Sequence, residues 1–275
     1  MITESASSIT EKESIKTLNT SPIPPLEYRP TKLSSTQIEK LIFNPYHIYV
    51  DLILKLKKLP PLNKQLSALD FGNFVHKAIE LHYKKNLNLL EAGHLALKKL
   101  GLSSPQIELL WWPRFIRIAE WINENKTPLS QDHLESFGSM DINNNMTIIA
   151  RADKIELYAD NIIQIIDFKT GKLASAKSVD NGQSLQLLLE SLIATNAGFS
   201  FQEKHKKYKI KSLIYIQLSG GEDPIETLEI EPAIEKIEEY LISLFKEYQN
   251  SSTPYFYTKK KILGYCEYAH LSRNI

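Results

Sequence analysis

The sequence predicts one α/β domain in which helices flank a mixed central sheet, with a helical portion at its N-terminal side. Three observations predict it. Helical spacing of apolar residues dominates residues 34–124, strand-like texture takes over between 133 and 169, and helix, strand and helix then alternate to residue 249. With 275 residues and a 43% hydrophobic share, the chain can bury a substantial core without a staple.

Residues 1–27 are rich in Ser, Thr, Glu and Pro and lack a sustained period, so they read as a disordered tail ahead of a domain spanning 28–275. Ser34 and Gln37 match a capping box. Ile38, Leu41 and Ile42 follow at helical spacing, and Pro45 ends that helix near Asn44. A second helix is expected from Tyr46 to Leu56, before the Pro60-Pro61 break. From Asp70, the set Phe71, Phe74, Val75, Ala78 and Ile79 marks an amphipathic helix with Gly72, His76, Glu80 and Tyr83 on a neighbouring stripe.

Residues 89–100 and 106–124 are helical by the same test, and Trp111, Trp112 and Trp121 of the latter read as core. Strands are expected at 133–138, 146–157 and 161–169, with Asp160-Asn161 turning the chain between the last two. A helix at 183–196, a strand at 211–218 and a long helix at 231–249 complete the domain.

Composition excludes several functions. The single cysteine, Cys266, rules out an intramolecular disulfide and any cysteine-ligated cluster built from this chain, and it fits a reducing cytoplasm. No apolar run reaches the roughly 18 residues that cross a bilayer, and the N-terminus lacks a signal-like apolar stretch, so no membrane role and a cytoplasmic location are expected. A net charge of +1 counts against nonspecific coating of duplexes. The basic runs at 205–211 and 259–261 read as solvated surface.

Chemistry concentrates in Arg151-Ala-Asp153-Lys-Ile-Glu-Leu157 and Ile165-Ile-Asp167-Phe-Lys169-Thr-Gly171. Strict alternation places Ile163, Ile165, Asp167 and Lys169 on one face of a strand that is apolar on both sides, and Asp153 with Ile149, Ile155 and Leu157 on the preceding strand. In a hairpin both aspartates converge at one end of the sheet. Two buried carboxylates cost on the order of several kcal/mol each unless paired, and a divalent cation offsets that cost. Oxygen ligands suit Mg²⁺, and Lys169 could hold the attacking water and stabilise charge on a phosphate. The bland reading is a buried Asp167–Lys169 ion pair with an unrelated exposed Asp153.

These residues resemble the PD-(D/E)XK nuclease motif in its RecB-like form. The resemblance extends colinearly over roughly residues 28–275. It takes in residues 29–39, Asn44-Pro-Tyr-His-Ile-Tyr49, Gly72-Asn-Phe-Val-His76, Trp111-Trp-Pro-Arg-Phe115, Ser184-Leu-Gln-Leu-Leu-Leu-Glu190, Leu218-Ser-Gly-Gly221 and Tyr268-Ala-His-Leu271. In these flanks the chain is similar to the C-terminal nuclease module of AddB-type recombination subunits. The resemblance implies a restriction-endonuclease-like core and a Mg²⁺-dependent deoxyribonuclease, Mn²⁺ being a possible substitute. Its metal ligands would be His76, Asp153, Asp167 and the backbone carbonyl of Phe168. Lys169 would be the catalytic lysine, and Gln186 would position DNA or that lysine. Read alone, His76 is a structural histidine and Gln186 an ordinary helix residue.

The resemblance further implies double-strand break repair, an exonuclease acting on single-stranded DNA by preference, and an AddA-like helicase as partner. Departures bear on this. Glu190 stands where many RecB-like nucleases carry a tyrosine, so it is assigned no catalytic role. Asn44 occupies the place of a cluster cysteine in many relatives, so no iron–sulfur cluster is expected. No Gly-x-x-x-x-Gly-Lys-[Ser/Thr] loop is present, and the helicase-like region of AddB subunits is missing from this sequence, so a stand-alone nuclease without a motor is expected. The alternative from a different class is a non-catalytic DNA-binding or assembly module of a recombination complex.

Overall fold

Apolar periodicity and local caps account for most of the helices. The computed structural model describes residues 21–57, 59, 65–125, 130–142, 146–173, 185–221, 225–231, 233–258 and 268–272. Residues 1–20, which hold most of the expected tail, Lys259–Lys261 and Cys266 lie outside them, as do the first residues of the expected 183–196 helix. Between Ser21 and Tyr28 the chain is tied to the other terminus, because Tyr255 N–H donates to the Pro22 carbonyl.

Helix α1 (Ser35–Phe43) starts at the expected capping box, in which Ser34 and Gln37 satisfy one another's backbone N–H, and it ends at Asn44. Asn44 is buried, and its side chain exchanges hydrogen bonds with the backbone of Thr258. Helix α2 (Pro45–Ile48) runs into a π-helical turn at Tyr49–Ile53. Helix α3 (Ala68–Lys85) has its own capping box between Ser67 and Asp70 and stops at Asn86 in the left-handed conformation. Helices α4 (Leu89–Leu100) and α5 (Trp112–Glu124) follow, the second behind a π-helical turn at Ile107–Trp111. Helices α6 (Gln186–Thr195) and α7 (Ile234–Tyr248) come later in the chain.

Among the described residues six strands form one mixed sheet: β1 (Lys32–Ser34), β2 (Gln131–Ile142), β3 (Met146–Leu157), β4 (Ile162–Lys169), β5 (Lys209–Gln217) and β6 (Thr227–Ile230). The order is β1-β3-β4-β5-β6, with β2 on the other edge of β3. Strands β3 and β4 form the expected hairpin. Its turn holds Asp160 and Asn161 at positive φ, which these short polar residues tolerate. Strands β4 and β5 are parallel and joined through α6. Strands β1 and β6 are additional to those expected from the sequence, and β2 is twice as long as the expected 133–138 strand.

The core lies on both faces of the sheet. One cluster joins Ile163, Ile165, Leu213 and Tyr215 to α1, α6 and α7; the other joins Ile166, Phe168 and Ile216 to α3, α4 and α5. Trp111 is buried, and Trp112 and Trp121 pack against that second cluster, as core tryptophans should. The basic run at 205–211 leads into the start of β5, level with the start of β4. It is therefore at the end of the sheet away from Asp167 and Lys169, on the order of 20 Å distant at a strand's rise per residue.

Candidate metal centre and active site

Strand β3 has two partners in succession along one edge. Strand β1 pairs with Thr147–Ile149 and β4 with Lys154–Leu157, which leaves the edge open between them. Asp153 borders this opening. Extending the registers by one step puts Asp167 opposite it on β4 and Glu135 opposite it on β2, yet neither pair is part of the ladder. Three carboxylates thus stand in one row across three strands.

Alternation also fails in this row. Ile148, Ala150 and Ala152 face the first core cluster, and the next β3 residue to do so is Ile155. The set expected from strict period two, Ile149 with Ile155, is thereby corrected. Glu135, at φ +49°, is where β2 departs from extended geometry. The irregularity keeps the β2–β3 register and re-aims the residues at the opening.

Asp153 is fixed from two sides. One oxygen lies 3.3 Å from His76 Nδ1, and the other accepts the Phe168 N–H at 2.9 Å. His76 reaches it from α3. Gly72, one turn earlier, lets that helix approach the end of β4, since a β-carbon there would sit 2.9 Å from Thr170 Oγ1. The Phe168 ring points to the opposite face, buried in the second core cluster. Asp167 is 1% exposed. Its Oδ2 is 2.8 Å from Lys169 Nζ, an ion-pair contact without hydrogen-bond geometry, and its Oδ1 has no hydrogen-bonding partner among the described residues. Lys169 donates to Gln186 Oε1 at 2.9 Å, and Gln186 in turn donates to Glu190 Oε1 at 3.1 Å.

The electrostatics follow from burial. Removal from water, reinforced by Asp153, pushes the Asp167 carboxyl up to about 7, against the pull of Lys169. Burial opposes the Lys169 charge as well, but Asp167 outweighs it and the ammonium is held above its usual value. The two partners are unequal: the lysine keeps its proton, while the aspartate resists losing one. For His76, burial is overcome by Asp153 and the net shift is upward. Glu190 is fully buried, and burial followed by repulsion from Asp167 raises it well above an ordinary glutamate. Glu39 on α1 is raised by burial, its carboxylate accepting the Leu185 N–H at 2.6 Å just ahead of α6.

His76, Asp153, Asp167, Lys169 and Gln186 are therefore brought to one end of the sheet, and Phe168 contributes its backbone there. Two residues escaped the sequence reading. Glu135 offers an oxygen within 4.8 Å of ligand atoms of both His76 and Asp153. Counting the β2–β3 register back from the Ile142–Met146 pair would have found it. Glu190, given no role from sequence, sits beneath Gln186 and faces the charge of Asp167. The His76 nitrogen and the Asp153 and Glu135 oxygens, all within 4.8 Å of one another, fit a divalent cation such as Mg²⁺ or Mn²⁺; the predicted ligand Asp167 is not part of that close group, although its buried oxygens have no hydrogen-bonding partner among the described residues. Among the described residues no helix is long and apolar enough to cross a membrane.

Residues 32–271 match the family model described as PD-(D/E)XK nuclease superfamily. An uncharacterized protein of Rickettsia bellii (strain RML369-C) is 30% identical over 273 residues, covering 88% of this chain and 32% of the relative. Another, from Rickettsia conorii (strain ATCC VR-613 / Malish 7), is 29% identical over 286 residues, covering 89% and 34%. The chain thus spans about a third of the length of these curated relatives. A solved structure titled "Crystal structure of SSO0001" aligns with a TM-score of 0.32 at 14% identity, over 77% of this chain and 87% of that one.

Proposed function

The chain belongs to the PD-(D/E)XK nuclease superfamily, and from that premise we propose that it is a divalent-metal-dependent deoxyribonuclease. In this reading residues 28–275 are the nuclease module of an AddB-like protein of double-strand break repair. It degrades single-stranded DNA from an end, in the cytoplasm, with an AddA-like helicase as motor partner. The AddB-type flanks described above support the finer assignments.

One observation carries the reading: Asp167, buried and without a hydrogen-bonding partner among the described residues, lies in the field of Asp153 and His76 with Lys169 alongside. A purely structural ion pair would be closed and satisfied. His76, Asp153, Asp167 and the Phe168 carbonyl would hold Mg²⁺ or Mn²⁺. The ion would neutralise phosphate charge and favour ionisation of the attacking water. Lys169, kept protonated and aimed by Gln186 Oε1 at 2.9 Å, donates to the water or to the phosphate oxygen on which charge develops. Gln186 is braced by Glu190, so the lysine's position is set by side chains of two elements, β4 and α6.

The test is cleavage of end-labelled single-stranded DNA, with Mg²⁺ and with EDTA, by wild type and Lys169→Ala. The expected result is cation-dependent cutting that the variant loses. A folded wild-type protein that binds DNA and never cuts it, with or without a helicase partner, would support a non-catalytic module instead.

A further inference from the structure

We infer that Glu135 is an additional ligand for the divalent cation at the His76–Asp153 centre, and that Arg151 occupies its carboxylate when the cation is absent. This inference rests on the metal-dependent reading above. Glu135 faces Asp153 across the β2–β3 hairpin, just as Asp167 faces it from β4. Oxygens of Glu135 and Asp153 and a nitrogen of His76 all lie within 4.8 Å of one another, a separation one ion can bridge.

A second, independent observation comes from the opposite side of Asp153. Asp167 is 1% exposed and its buried oxygens lack hydrogen-bonding partners among the described residues, a condition that a cation would relieve. Glu135 also holds a left-handed backbone, φ +49°, inside a strand. For a residue other than glycine that costs about 1–3 kcal/mol, and such outliers persist where the surroundings enforce them.

The bland alternative is a cross-strand ion pair, since Arg151 Nε lies 2.6 Å from Glu135 Oε2. That contact explains neither the backbone nor the proximity to two candidate ligands. Arg151 is 59% exposed, and an ion pair with so open a cation contributes only about 0–1 kcal/mol. A divalent ion can displace it. The released guanidinium then stands at the rim of the site, where it can meet a nucleic-acid phosphate.

The experiment is Mn²⁺ titration of the full chain without DNA, followed by the paramagnetic resonance of free Mn²⁺. Wild type is compared with Glu135→Gln, Glu135→Asp and Arg151→Gln, and melting in EDTA verifies that each is folded. Glu135→Gln should weaken Mn²⁺ binding about tenfold or more, the usual scale for a group that supports a metal site. Glu135→Asp, one methylene too short, should weaken it as well, whereas Arg151→Gln should leave it equal or tighter.

Wild-type affinity in Glu135→Gln would overturn the assignment. So would wild-type affinity in Glu135→Asp alone, which would mean that only the negative charge matters. Weaker binding by Arg151→Gln would remove the stand-in role of the arginine. A wild type that binds no Mn²⁺ would overturn the metal reading itself, so the two failures are distinguishable.

Discussion

Two charged triplets on neighbouring strands, Lys154-x-Glu156 and Asp167-x-Lys169, have the same composition of a cation, a spacer and an acid, but opposite fates. In the first, Lys154 Nζ lies 2.6 Å from Glu156 Oε1 and 3.1 Å from Asp132 Oδ2, while Tyr158 OH donates to Glu156 Oε2 at 2.6 Å. Tyr83 covers the ammonium, its ring centroid 5.7 Å away. Every charge is answered. In the second, Asp167 has an oxygen with no hydrogen-bonding partner among the described residues, and Lys169, 2.8 Å from the other oxygen, donates its hydrogen bond to Gln186 on another element. The closed triplet stabilises a fold, and the open one is poised to bind something.

The largest effect that could break this contrast is catalytic. Asp167→Asn removes a charge that the metal-free protein holds at a cost, so melting in EDTA should be unchanged or slightly raised. Cleavage should fall by at least about 10²–10³-fold, the scale of losing one group that acts at the reacting centre. End-labelled DNA and a melting curve suffice. Cutting at the wild-type rate would make the open triplet as structural as the closed one.

The next effect is the mirror image. Glu156→Ala leaves Lys154 in a buried place with one acid fewer, and breaking a buried pair in this way costs about 3–5 kcal/mol. Denaturant unfolding should show that loss, and the folded fraction should still cleave DNA. A variant as stable as wild type, but inactive, would move the closed triplet into the active site.

The sequence could not separate these triplets, because satisfaction depends on residues far away in the chain. Lys154 is answered by Asp132 and Tyr83, and Asp167 is left open by the splitting of β1 from β4 along β3. What was legible had strong local grammar. The Ser34–Gln37 capping box, the boundaries of α4 and β3 and the Asp160-Asn161 turn all stand where periodicity and turn chemistry put them. Strands β1 and β6 were not legible, being three and four residues long and held only by pairing with distant strands. Placing Asp153 with Ile149 and Ile155 failed because a strand re-aimed at the Glu135 row does not obey period two.

The smallest expected effect concerns Glu190, which joins the open triplet through Gln186. Its folded carboxyl binds a proton more tightly than the unfolded chain's does, because burial and the neighbouring Asp167 disfavour its charge. Stability from this group is therefore fully present below the ordinary glutamate value of 4.5 and is lost as pH rises toward the higher folded value. Glu190→Gln cannot ionise, yet its amide oxygen can still accept from Gln186 Nε2 as Oε1 does now. The variant should match wild type near pH 4 and become the more stable of the two as pH rises to 8, with cleavage retained. Melting curves at several pH values read this directly. If the two proteins stay parallel across that range, Glu190 is already ionised in the fold, and the brace behind Lys169 carries a charge that the active site must accommodate.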